Sequence, residues 1–104
     1  MTERITPGQF HAAAGVDDWR VVAAEACAYF RTGSFATGVS LVDAIGVLAD
    51  AANHHPDVDL RYGTVTVRLT THDVGGLSER DVELARQISA AARELGIPAD
   101  PAAG

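Results

Sequence analysis

The sequence predicts an α+β domain with the element order helix, hairpin, helix, hairpin, helix (α-β-β-α-β-β-α), its antiparallel sheet covered by helices on one face. Three observations predict it. The stretches from about Phe35 to Asn53 and from Ser78 to about Leu95 carry apolar residues at three- and four-residue steps. Thr64 to Thr71 instead alternates apolar and polar residues directly after Gly63. The length of 104 residues and the apolar share of 47% suit a single domain with a modest core that needs no staples. That domain is expected over residues 1–96, with a loose tail over residues 97–104.

The first helix is expected from Thr6 to Val16. Thr6 serves as N-cap and Pro7 stands at the first helical position, where its missing N–H costs nothing. Phe10, Ala13 and Ala14 would face inward, Gly15 would end the helix, and His11 reads as a surface residue. Two readings of Trp19 to Phe30 compete. Trp19 and Val21, with the alternating Ala26, Ala28 and Phe30, fit two short strands turning near Ala23–Glu25. The turn lacks Asn-Gly or Asp-Gly, so a helix from Val21 to Phe30 is the rival. Cys27 reads as a small buried apolar residue.

Thr32–Gly33–Ser34 breaks the pattern before the second helix, whose stripe is Val39, Val42, Ile45, Leu48 and Ala52. Gly38 and Gly46 each weaken that helix by about 1 kcal/mol relative to Ala. They point either to close packing against a neighbour or to simple tolerance of a small residue. Pro56 stops the helix and pushes His55 out of helical conformation. Val58–Tyr62 and Thr64–Thr71 form the second hairpin around Gly63, with Val65, Val67 and Leu69 toward the core. After the Gly75–Gly76 joint, the last helix carries Val82, Ala85, Ile88, Ala92 and Leu95 on one stripe. Ser78 with Asp81 three residues on resembles a capping box, and Gly96 and Pro98 end the helix.

The formal charge of −6, with all basic residues arginine and scattered, argues against nucleic acid and anionic membranes as partners. One cysteine excludes an internal disulfide framework. The N-terminus M-T-E-R-I-T-P lacks a charged-then-apolar export pattern, and no apolar run is read as reaching a bilayer span. A cytoplasmic setting is expected.

Chemistry concentrates between Asp50 and Asp81, which hold three of the four histidines. Asp50 and His54 are four residues apart near a helix end and would share a face. The helix C-terminus also favours an imidazolium there, which suits His54 to proton donation near neutral pH. His55, already extended before Pro56, can point elsewhere. His72 is expected at the end of a strand with the polar parity of Thr70 and Arg68. Asp81, in a first helical turn, can accept backbone N–H bonds and orient an imidazole. Three readings fit these groups: a zinc site using Asp50-x-x-x-His54, a general acid–base site, or a structural cluster. There is no H-E-x-x-H, cysteine pair, phosphate loop or dinucleotide fingerprint.

The spacing itself is distinctive: Asp50, three residues, His54–His55–Pro56, five residues, Tyr62, nine residues, His72, eight residues, Asp81. Together with T-H-D-V-G-G-L-S-E-R-D, it resembles the signature of the pterin-4a-carbinolamine dehydratases. The resemblance is dense over residues 50–95 and extends weakly upstream through Trp19, Tyr29–Phe30 and Phe35. It implies a four-stranded antiparallel sheet with three helices on one side, and so favours the hairpin for Trp19 to Phe30. It also implies homodimers or homotetramers. The implied reaction removes water from 4a-hydroxytetrahydropterin to give quinonoid dihydropterin, with neither a metal nor a redox cofactor. By resemblance His54 and His72 act as acid–base catalysts, His55 binds the pterin and assists proton transfer, and Asp81 orients or charge-stabilises a histidine, so all four count as catalytic. Asp50, Pro56, Thr70, Thr71 and Arg80 would be substrate-binding or supporting residues. The chain departs from the family in its short, Ala-rich segment between Trp19 and Phe30, and in Val74, where some members carry Cys. The family also includes members that act through protein contacts, as a coactivator or an assembly chaperone.

Overall fold

A computed structural model describes residues 2–101. The elements are α1 (Pro7–Ala12), β1 (Trp19–Val22), β2 (Glu25–Arg31), α2 (Phe35–Ala52), β3 (Asp57–Arg61), β4 (Thr64–Leu69) and α3 (Glu79–Glu94), with a 3₁₀ turn at His72–Val74. The four strands form one antiparallel sheet in the order β1-β2-β4-β3. This is the predicted α+β order. The hairpin, not the rival helix, occupies Trp19 to Phe30, and its turn places Ala23 at a φ of 56°.

Alternation decides which sheet face is dry. Trp19, Ala26, Ala28, Phe30, Val65, Val67 and Leu69 are buried together with Phe10 of α1, Leu41 and Ile45 of α2, and Val82, Ala85 and Ile88 of α3. The indole N–H of Trp19 donates to Ser89 Oγ at 2.9 Å, so this large side chain leaves no buried donor unpaired. Cys27 has the opposite parity. It lies half-buried on the uncovered face, not in the core as expected.

Local sequence starts and stops the helices. Thr6 caps α1 in a capping box with Gln9, but α1 ends at Ala12, sooner than predicted. Ala14 is exposed, and Val16 enters the core from the loop that follows. In α2 the buried residues are Gly38, Leu41, Ile45 and Ala49. Of the predicted stripe, Ile45 is buried and Val42 and Leu48 pack against the core, but Val39 is 45% exposed and Ala52 is exposed, so its two ends are out of phase. The reason is that α2 is apolar on most faces: its 18 residues have a mean hydropathy of 1.5, enough by length and composition to cross a membrane, contrary to the expectation that no run approaches a span. Here it packs on the sheet and on α3. Gly38 allows that approach, since a Cβ there would lie 2.7 Å from Leu60 Cδ1. Gly46 meets nothing within 4 Å. In α3 the predicted stripe is buried except for Leu95, which is 46% exposed.

The segment after α3 is not loose where it is described. Ile97 is buried, Arg31 N–H donates to Pro98 O at 2.9 Å, and Asp100 N–H donates to Tyr29 O at 2.8 Å. β1 pairs with β2 no further than Ala28, so Pro98–Asp100 takes up the edge of β2 that β1 leaves open. The Arg31–Asp100 ion pair, 2.7 Å long, closes the junction. Residues 102–104 of the predicted tail lie outside the described residues.

Candidate active site

Three backbone breaks bring the site together. The first is the end of α2, where Asn53 adopts left-handed φ/ψ of 49° and 44°, a conformation Asn tolerates better than most residues. This turn rotates His54 away from the helical face of Asp50. The predicted Asp50–His54 pair therefore does not form; Asp50 Oδ1 instead meets His55 Nε2 at 2.9 Å, on the surface. The second break is the end of β4 at Leu69, two residues before the expected limit. His72 consequently sits on a 3₁₀ turn beyond the strand, not at the strand's end. The third is the start of α3, where Ser78 and Asp81 form the predicted capping box.

A cleft of about 390 Å³ opens between these breaks, lined by Asn53, His54, His55, Thr70, Thr71, His72, Asp73 and Arg80. The three histidines of the signature thus share one cavity, delivered from the end of α2 and from the turn after β4. His55 and His72 are exposed, whereas His54 is 8% exposed. His54 Nε2 lies 2.6 Å from Asp81 Oδ1, and Asp81 is fully buried behind the ring. The second oxygen of Asp81 accepts from Thr71 Oγ1 at 2.7 Å and from the Ser78 N–H at 2.9 Å. One carboxylate therefore caps a helix and grips an imidazole at once.

His54 Nδ1 makes no bond to a described residue, and no buried side-chain nitrogen or oxygen among them lacks a partner. Nδ1 is therefore open to the cleft. An ionised carboxylate only accepts, so His54 presents a protonated Nε2 to Asp81 and a free Nδ1 to whatever occupies the cavity. Arg80 donates from Nη2 to Asn53 O at 2.8 Å and so ties α3 to the left-handed residue that aims His54. Thr70 Oγ1 donates to Ala24 O at 2.9 Å, pinning the cleft floor to the β1–β2 turn.

Asp50 and Pro56, also predicted, do not line the cleft, and Tyr62 of the spacing is exposed at the β3–β4 turn. Asn53 and Asp73 do line it and were not singled out by sequence. Each stands next to a signature histidine, and Asn before His-His-Pro is itself a helix-stop signal. Among the described residues, no three His, Cys, Asp or Glu side chains are grouped to hold a metal ion.

The sequence model of the family described as Pterin 4 alpha carbinolamine dehydratase matches residues 3–91. The chain belongs to this family. A protein of Nocardia farcinica provisionally named pterin-4-alpha-carbinolamine dehydratase is 45% identical over 76 residues, covering 73% of this chain and 80% of its own. One of Chloroflexus aurantiacus with the same name is 45% identical over 71 residues, covering 68% and 76%. The crystal structure of a transcriptional coactivator/pterin dehydratase from Brucella melitensis superposes with a TM-score of 0.79 at 28% identity. That match covers 86% of this chain and 99% of the other. The dehydratase name of these relatives is that of a hydro-lyase.

Proposed function

We propose that the protein removes water from a 4a-hydroxytetrahydropterin, giving quinonoid dihydropterin by histidine acid–base catalysis. One observation carries the reading: His54, His55 and His72 line one cleft, with His54 backed by a buried carboxylate. The chemistry asks for two proton transfers and no electron transfer. The 4a hydroxyl leaves as water once it gains a proton, a ring N–H proton is lost, and a C=N bond forms between the two atoms.

His54 Nδ1 takes the ring proton. Asp81 favours that step because its negative charge stabilises the imidazolium that results. His72, exposed on its turn, donates to the departing hydroxyl and regains its proton from solvent. His55 and Arg80 hold the polar edge of the pterin. The residues present meet these needs without a metal or a redox cofactor.

The Brucella protein's name joins a coactivator to a dehydratase. A purely protein-binding role would leave three imidazoles in one cleft without a chemical task, which favours the enzyme. We also read the protein as a homodimer or homotetramer in the cytoplasm; the exposed Val39 and Val47 of α2, at 45% and 69%, support the self-association. The activity is tested by adding the protein to freshly generated 4a-hydroxytetrahydropterin in a stopped-flow cell. A dehydration rate proportional to protein concentration is expected; the buffer rate alone would refute the reading.

A further inference from the structure

We infer that Thr71 is a positioning residue that holds both acid–base histidines in register, an inference that rests on the dehydratase reading above. Thr71 is 1% exposed, and its hydroxyl bonds to Ser78 and Asp81, not to a cleft histidine. It acts instead through two separate sets of bonds.

The first set belongs to the hydroxyl. Thr71 has one hydroxyl proton, and it goes to Asp81 Oδ2 at 2.7 Å. Ser78 Oγ, 2.7 Å from Thr71 Oγ1, must then donate its own proton to Thr71. Ser78 Oγ also accepts from the Arg80 N–H at 3.2 Å. Every proton in the chain is thereby assigned: Ser78 O–H to Thr71 O–H, Thr71 O–H to the Asp81 carboxylate, and His54 Nε2–H to the same carboxylate. Thr71 and the Ser78 N–H together occupy Oδ2 of Asp81, which fixes the carboxylate with Oδ1 toward His54 Nε2.

The second set belongs to the backbone. Thr71 N–H donates to Gly76 O at 2.7 Å, and Thr71 O accepts from Val74 N–H at 3.1 Å. These bonds close the small loop whose first residue is His72. A single buried residue thus anchors the turn bearing His72 by its main chain and the Asp81–His54 pair by its side chain. Substituting the side chain separates the two, because the backbone bonds remain.

The test compares Thr71→Val, which keeps the shape but loses the hydroxyl, with Thr71→Ser, which keeps the hydroxyl. We expect Thr71→Val to lower kcat by about 10- to 100-fold, the scale of a lost hydrogen bond to a charged group, with KM changed less than about 3-fold. Thr71→Ser should stay within about 3-fold of wild type in both, since the donor remains. The ¹⁵N NMR of the His54 ring supplies a readout that does not depend on turnover. In wild type the neutral ring should carry its proton on Nε2. In Thr71→Val the acceptor-only carboxylate should keep it there, while the Nε2–H resonance moves upfield as the loosened Asp81 lengthens the bond. A wild-type proton on Nδ1, or a Thr71→Val enzyme with unchanged kcat, would overturn the inference. If Thr71→Val does not fold, the wild-type tautomer and the Thr71→Ser kinetics decide it. If wild type shows no dehydration at all, the parent reading fails, while the Nε2–H resonance still tests the positioning role.

Discussion

His54 Nε2 stands 2.6 Å from Asp81 Oδ1, and this bond joins the segment after α2 to the first turn of α3. Both groups are buried, so removing one leaves the other without its partner in a dry setting. Asp81→Asn keeps the volume and turns one acceptor oxygen into a donor that faces His54, Thr71 or the Ser78 N–H. We expect kcat to fall by about 100-fold or more, the lower end of what a positioned acid–base group contributes. The fold should lose about 3 kcal/mol, measured by urea denaturation. Wild-type kinetics in a folded variant would contradict the assigned role.

Gly38 and Gly46 lie two turns apart on α2 and should respond differently to alanine. At Gly46 a Cβ meets nothing, so Gly46→Ala should stabilise the fold by about 1 kcal/mol through helix propensity. At Gly38 the same Cβ meets Leu60 Cδ1 at 2.7 Å and forces that methyl aside. Gly38→Ala should therefore be at least about 1 kcal/mol less stable than Gly46→Ala, a difference that thermal melts resolve.

Truncation after Gly96 removes the buried Ile97 and the two backbone bonds along β2. The expected cost is about 2–4 kcal/mol, most of it from the isoleucine. Chemical denaturation of the shortened chain measures it. An unchanged midpoint would show that residues after Gly96 contribute nothing to the fold.

Cys27 gives a pH dependence remote from the cleft. Burial, and then the charge of Glu25, push its thiol above the ordinary value of 9.0, with Arg68 and Arg20 opposing. A raised folded-state value favours the protonated, folded form. The stability it brings is complete below the unfolded thiol's value and is lost as pH rises through the folded one. Wild type should therefore lose stability from about pH 9 upward, and Cys27→Ser should lose less over the same range. Parallel stability curves for the two proteins would refute this.

Periodicity and caps made the helices and the second hairpin legible, whereas Trp19 to Phe30 fitted both a hairpin and a helix until the family resemblance favoured the hairpin. The Ser78–Asp81 box and Thr6 followed by Pro7 are local chemistry, and they appear in the structure as read. Phase was harder. In α2 most faces are apolar, so several stripes fit; of the chosen one Val42, Ile45 and Leu48 reach the core, and Val39 and Ala52 do not. The alternation that puts Ala26, Ala28 and Phe30 inward also puts Cys27 outward, so its position was readable in principle.

The site followed the same division. Spacing grouped the three histidines, but the partner of each depended on geometry that spacing does not contain. One left-handed residue, Asn53, was enough to exchange Asp50 for Asp81 beside His54. The docking of Pro98–Asp100 on β2 depends on how far β1 runs, a tertiary fact absent from the local sequence.

We propose that two imidazoles in this cleft move the protons of a dehydration. The most direct measurement is the single-turnover dehydration rate of 4a-hydroxytetrahydropterin for wild type, His54→Ala and His72→Ala. A wild-type rate well above buffer is expected, with losses of about 100-fold or more in each variant and the fold intact by circular dichroism. Variants that turn over as fast as wild type would contradict it.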